Sequence, residues 1–325
     1  MLNSVGSMGK RSRVLEIIGS GAFASIKQVS EIEDNSVFSD ELRLILKVDY
    51  SDEFLDSLQV IGLGLVGKDP GYKFLTYVED RKYIPLVLET ENISCVITLP
   101  SLKSLFDGSN KQVIVRENPK LEYFRTYNKL GKIRLEIKDA NQISKEANIS
   151  LDASIATHNV KIHTGVVIEA NVTVYPNVEI KSGSVIRAGA VIGSPGFEYK
   201  RNQTHVLPVL HDGKTIIGEF VEIGAGTIIG QGFFGKPTII GSDAKTDNLV
   251  SVAHGSVIGD RVLIAAGAIV SGSIIMGHDT WVGPGSVLSN GLNIGAGAFI
   301  ALGSHVFKDV QAGERVIGSP ARPFP

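Results

Sequence analysis

The feature that most constrains this chain is a step of six. Large aliphatic residues recur from Ile162 at Ile168, Val174, Ile180, Ile186 and Ile192. The frame breaks, resumes at Ile217, Ile223 and Ile229, and breaks again. From Ile240 it runs through Thr246, Val252, Ile258, Ile264, Val270, Met276, Val282, Leu288, Ile294, Ile300, Val306 and Ala312, where only Thr246 and Ala312 are not large aliphatics. Four residues after most of these comes a smaller or β-branched side chain, such as Val166, Val172, Ser184, Ala190, Val262, Ala268, Ser286 or Ala298. Glycine often follows the aliphatic directly, as at Gly218, Gly224, Gly241, Gly259, Gly277, Gly283 and Gly295.

A period of six fits neither an α-helix nor a simple alternating strand, but it fits a coil whose short sides each end in a turn. Three hexads make a coil of roughly 18 residues, and successive coils stack at about the 4.8 Å spacing of a β-sheet. The aliphatics then point to the coil axis and form the core, each contributing roughly 1.5–3 kcal/mol relative to exposure. The expected architecture is a parallel β-helix.

Residues inserted in a solenoid must leave the stack as loops. Two such excursions are expected. Gly193 to Thr215 carries Phe197, Tyr199, Lys200, Arg201, His205, His211 and Asp212, and Gly230 to Thr238 carries Gln231, Phe233, Phe234 and Lys236. Loops on a rigid scaffold are where binding side chains concentrate, so Phe197, Tyr199 and His211 are candidate substrate contacts, with packing of the aromatics as the alternative.

Upstream of about Glu146 the step of six is absent. Leu44 to Val48, Ser94 to Thr98 and Val113 to Val115 read as short strands, and Asn118 to Leu130 as a helix with proline in its first turn. The division expected is a small α/β domain over 1–145 and the β-helix over 146–325.

With 32 basic against 34 acidic side chains, a net charge of −2, the chain has no broad field to hold nucleic acid or an anionic membrane. Any anion site must be local. Cys95 is the single cysteine, which excludes an intrachain disulfide, and Met1 to Arg13 lacks the apolar core of a signal peptide. The expectation is a soluble cytoplasmic protein that begins in a disordered tail.

The runs IGSPGFEYKRN (Ile192 to Asn202), KTIIGEFVEIGAGTII (Lys214 to Ile229) and TDNLVSVAHGSVIGD (Thr246 to Asp260) resemble the bacterial UDP-3-O-acylglucosamine N-acyltransferases of lipid A synthesis. KFLTYVEDRKY (Lys73 to Tyr83), ISCVITLPSL (Ile93 to Leu102) and ENPKLEYF (Glu117 to Phe124) are similar to that family's uridine-binding domain. The resemblance implies a left-handed coil, a homotrimer and active sites in clefts between subunits. It also implies a catalytic histidine, because the family's Ala-His-Asn motif reads Ala253-His254-Gly255 here. His254 falls two residues past the inward Val252, at a corner of the coil. Transfer from a thioester to an amine needs a base for the amine proton, and imidazole titrates near neutral pH. A backbone amide one coil later, that of Gly272, is the candidate oxyanion donor. Asp247 and Asn248 match the family's Asp-Asn pair and are candidates for orienting the imidazole or holding the sugar. Tyr83, from the Lys-Tyr match, is a candidate for stacking on the nucleobase.

The chain also departs from that pattern. Gly230-Gln231 stands where the family has Asp-Arg, Gly255 follows the histidine where the family has Asn, and no second histidine occurs near Asn290 to Asn293. Its ending, GSPARPFP (Gly318 to Pro325), resembles coenzyme A-dependent hexapeptide acyltransferases instead. Lys308, Arg315 and Arg322 then become candidate partners of the coenzyme A phosphates. Two enzymatic readings follow. In the first, an N-acyltransferase uses acyl-CoA to acylate a nucleotide-linked amino sugar for a surface polysaccharide or O-chain. In the second, a lipid A enzyme uses acyl carrier protein on a UDP-linked 3-O-acylglucosamine. Neither holds a permanent cofactor. A zinc site of the kind found in β-helical carbonic anhydrases needs imidazoles that converge, whereas His254 and His278 are four hexads apart and His305 occupies another frame position. A purely structural repeat would leave the excursion aromatics and the Ala-His-Gly match unexplained.

Overall fold

The computed structural model describes Leu42, Leu46, Val60 and residues 62–318. These fall into two compact units. One runs through Ile137 and also takes in Phe197–Leu210, and the other comprises Lys138–Gly196 and the chain from His211 onward. The join therefore lies at Ile137/Lys138, eight residues before the expected one, because coil pairing already begins at Gln142–Ile143 against Lys161 and Ile162. The structure also assigns 197–210 to the α/β unit, where the sequence places the whole of 146–325 in the coil.

The α/β unit is built on a four-stranded parallel sheet in chain order: β1 (Gly62–Leu63), β2 (Phe74–Val78), β3 (Ile93–Thr98) and β4 (Gln112–Val115). Parallel strands need crossovers, and a short helix α1 (Ile84–Glu89) and a 3-10 segment (Pro100–Phe106) supply them. Helix α2 (Pro119–Glu136) starts with proline at its first turn and runs six residues beyond the expected end. It buries Leu121, Tyr123, Phe124, Tyr127 and Leu130 along one face, and the Tyr123 hydroxyl donates to the Gly64 carbonyl at 2.8 Å. Val113–Val115 and Ser94–Thr98 fall within strands as expected. Leu46 does not: it is helical, and Leu42 and Leu46, one helical turn apart, are both buried. The rest of that segment lies outside the described residues.

The excursion Phe197–Leu210 is an antiparallel hairpin, Tyr199–Arg201 against Val206–Pro208. Asn128 on α2 fastens it, donating from Nδ2 to the Pro208 carbonyl (2.8 Å) and accepting from the Leu210 N–H (2.9 Å). Lys200 lies 4.5 Å over the Phe124 ring and pairs with Glu198.

The second unit is a parallel β-helix with three faces. The first face stacks eight strands from Gln142–Ile143 to Asn293–Ile294, the second nine from Asn148–Ile149 to Arg315–Val316, and the third eight from Ser154–Ile155 to His305–Val306. Val252, for example, pairs with Ile229 of the preceding coil and Val270 of the next. The aliphatics read as inward are buried almost completely. Thr246 is also inward, and its hydroxyl accepts from the Gly224 N–H at 3.1 Å, which removes much of the cost of a polar group in the stack. The smaller residues four positions on are buried too; Ser184, Ser256 and Ser286 donate to the carbonyls of Gly218, Ser271 and Ala301.

The glycine directly after the aliphatic has a steric cause. A Cβ on Gly224 would meet the Asp247 carbonyl of the next coil at 2.3 Å. Two positions further on, most corners turn through positive φ, most often at glycine, asparagine or aspartate. The frame fails once, at the end. Ala312 is exposed, and Val310 and Val316 take the inward places opposite Ile294 and Ile300. The last coil is shorter, so the count of six no longer tracks it. Among the described residues no helix is long and apolar enough to cross a membrane.

Candidate active site

His254 follows the strand Ser251–Val252 and stands on the corner between the third face and the first. The column of this corner is made of residues two places after each inward residue of the third face. It reads Gln231, His254, Gly272, Asn290 and Lys308 from coil to coil. Both excursions leave from this same corner, the first after Val191–Ser194 and the second after Ile228–Gly230, and both rejoin the first face, at Thr215 and Thr238. The interruptions of the repeat thus sit in the coils just before His254.

The geometry around the imidazole is close on every side. A Cβ on Gly272 would lie 2.7 Å from His254 Nε2, and one on Gly196 would lie 2.8 Å from both His254 Nδ1 and His211 Nε2. The His211 and His254 rings meet edge to face, centroids 5.2 Å apart at 69°. Phe233, from the second excursion, is 5.4 Å from each of them. His211 is 5 % exposed and His254 is half-buried. Gly255 has φ of +65°, and its N–H donates to Thr238 Oγ1 at 2.8 Å. That left-handed position is open to asparagine as well as glycine, so the departure at Gly255 keeps the local backbone.

On either side of Gly272, the Ser271 N–H donates to Leu288 O at 3.2 Å and the Ser273 N–H to His254 O at 2.9 Å. Among the described residues the Gly272 N–H itself makes no ladder bond. His254 Nε2 therefore faces a stretch of backbone whose N–H is outside the ladder, which is compatible with proton transfer beside a developing oxyanion.

Other candidates fall elsewhere. Asp247 and Asn248 are exposed on the corner between the second and third faces, so within one chain they stand on a different corner from His254. Asn248 is engaged in its turn, its Oδ1 accepting from the Ala225 N–H at 2.8 Å, while Asp247 lines a shallow recess of about 220 Å³ with Lys245, Leu263 and Trp281. Tyr83 is 45 % exposed at the end of the 3-10 segment Arg81–Tyr83, with Lys82 Nζ 4.9 Å over its ring, so it is not a core tyrosine. In the hairpin Phe197 is 88 % exposed and tilts against Tyr199 at 4.8 Å. Lys308 is exposed in the His254 column, three coils on, which puts it roughly 14 Å away at the β-sheet spacing. Arg315 lies on the second face, 4.4 Å over Phe299, which stacks in turn on Trp281. Arg322 lies outside the described residues. His278 occupies the corner after the first face and bonds Asp279 at 2.6 Å. The sequence reading missed Gly196 and treated Phe233 only as a loop aromatic. The signal was present in the frame, since both breaks fall in the column of His254.

The family model for the bacterial transferase hexapeptide (six repeats) matches residues 159–194 and 237–272. The UDP-3-O-acylglucosamine N-acyltransferase of Caulobacter sp. (strain K31) is 39% identical over 133 residues, 41% of this chain and 39% of that protein. Its counterpart from Campylobacter lari is 42% identical over 129 residues, 39% of this chain and 40% of that protein. The chain thus matches about two fifths of the length of these curated relatives. The solved structure of Francisella novicida UDP-N-acetylglucosamine acyltransferase superimposes with a TM-score of 0.47 at 21% identity, covering 55% of this chain and 65% of that one. This chain carries the bacterial transferase hexapeptide repeat, and over part of its length it is similar to the UDP-3-O-acylglucosamine N-acyltransferases.

Proposed function

We propose that this protein is an N-acyltransferase that moves an acyl group from a thioester to the amino group of a nucleotide-linked amino sugar. The observation that carries the reading is the pairing of His254 Nε2 with the Gly272 backbone one coil away. The amine nitrogen attacks the thioester carbonyl, Nε2 takes the amine proton, and the Gly272 N–H holds the oxyanion of the tetrahedral adduct. Collapse of the adduct forms the amide and expels the thiolate, which recovers the proton from the imidazolium. The similarity to UDP-3-O-acylglucosamine N-acyltransferases favours a UDP-linked 3-O-acylglucosamine as acceptor, the lipid A reading, over an O-chain sugar.

The working form we infer is a homotrimer. Leu249, Ile228 and Ile269 are exposed on the third face and its adjoining corner, which supports association. Asp247 and His254 stand on different corners of one chain, so a shared role for them requires two copies. For the donor, Lys308 favours a second reading: it is an exposed cation in the His254 column, at a distance a phosphate-bearing carrier such as coenzyme A spans from its thioester. The test is release of free thiol when purified protein meets UDP-linked amino sugars and thioester donors, with His254→Ala as control. Thiol release equal in that variant and in the wild type removes His254 from the mechanism.

A further inference from the structure

The first excursion does more than carry a hairpin away from the coil. Its returning arm brings His211 back to the corner of His254, and the path there is tightly held. Asp212 Oδ1 accepts from the Gly235 N–H at 3.0 Å, and the Gly213 N–H donates to Gly232 O at 3.2 Å. A Cβ on Gly213 would stand 2.2 Å from Lys236 O, so the two excursions touch without room for a side chain between them. His211 is consequently a buried residue on a constrained loop, with Phe233 against both imidazoles.

Its nitrogen is aimed as well as its ring. His211 Nε2 and His254 Nδ1 both close on the same side of Gly196, each 2.8 Å from where a Cβ would be. A histidine that acts as base through Nε2 must keep its other proton on Nδ1, and a partner on that side selects the tautomer and holds the ring. Asp247 of the same chain stands on another corner.

We infer that His211 is the positioning residue for His254: its Nε2 accepts the Nδ1 proton of His254 across Gly196, and so leaves His254 Nε2 unprotonated beside Gly272. The inference rests on the acyl-transfer reading, within which His211 touches neither substrate nor reacting atoms.

Two variants separate this role from packing. His211→Gln keeps a hydrogen-bonding amide but loses the ring, and His211→Phe keeps the ring but loses the nitrogen. The expected result is a kcat reduced roughly 10- to 100-fold in His211→Phe with KM unchanged, the usual cost of losing such a partner, and largely rescued in His211→Gln. Rescue by phenylalanine and not by glutamine overturns the inference. Nitrogen-15 chemical shifts of His254 in labelled wild-type protein supply a readout that needs neither a variant nor turnover. They should report the tautomer protonated on Nδ1, and the tautomer protonated on Nε2 overturns the inference. If no thioester and amino sugar pair gives turnover in the wild type, the acyl-transfer reading fails, and the His254 shifts in wild type and His211→Phe still decide the pairing.

Discussion

The imidazole of His254 leans over Gly272, one coil further on, so closely that a Cβ at that position would stand 2.7 Å from Nε2 and 3.0 Å from Cε1. Glycine is required there by the neighbouring ring, since Gly272 is not among the residues with positive φ. Gly272→Ala should therefore leave the coil intact and push the imidazole off the adjacent amide. We expect an unchanged melting temperature and a loss of turnover of about 10²-fold, in line with a displacement of roughly 1 Å in a catalytic group. Full activity in this variant would detach Gly272 from the site.

His254→Ala should fold normally, because the residue is on a corner and contributes nothing to the inward stack. Turnover should fall by roughly 10²–10⁴, the range for loss of a general base, with acceptor affinity preserved. Thiol-release kinetics beside binding of the nucleotide sugar by calorimetry separate the two quantities.

Ile264 lies 2 % exposed in the longest unbroken run of the ladder, paired with Thr246 on one side and Val282 on the other. Ile264→Asp would place a carboxylate where no donor awaits it, a cost of several kcal/mol against a total stability of roughly 5–15 kcal/mol. The variant should fail to accumulate as soluble folded protein. Circular dichroism showing near-native melting would contradict the inward assignment.

Cys95 is completely buried in β3, and burial pushes its thiol up to about 12. The thiolate is the reactive form, so at pH 8 the native protein should resist iodoacetamide for hours and react fully once unfolded in denaturant. Mass spectrometry of the two samples reads this directly. Stoichiometric alkylation of the native protein would show that β3 opens to solvent.

For the donor, acetyl-CoA and 3-hydroxybutyryl-CoA should be compared with a 3-hydroxyacyl carrier protein. If the donor lies along the His254 column, Lys308→Glu should raise its KM about tenfold, the effect of one lost charge-assisted contact, while Arg315→Glu on the second face should not. Activity confined to the carrier protein with a 3-O-acylated UDP-glucosamine acceptor would establish the lipid A reading in full.

The coil was legible in the sequence because a stack of this kind repeats its packing requirement in every hexad. An inward aliphatic, a small residue four places on and a permissive turn residue each answer a local demand that recurs at a fixed interval. The corner on which His254 stands could be counted from Val252, and the columns of Gly272 and Lys308 follow from the same arithmetic. What lay beyond it was set by tertiary contacts with no period. The path of the first excursion depends on Asn128 of α2 capturing Pro208 and Leu210, and on the interlock of Gly213 with Gly232 and Lys236. Within the α/β unit Asn128 holds the hairpin that carries Phe197 and Tyr199, and within the coil the interlock at Gly213 accompanies the placing of His211 beside His254. The separation of Asp247 from His254 was equally hidden: seven residues is a short distance along a chain, but the strand between them carries the backbone from one corner of the coil to the next.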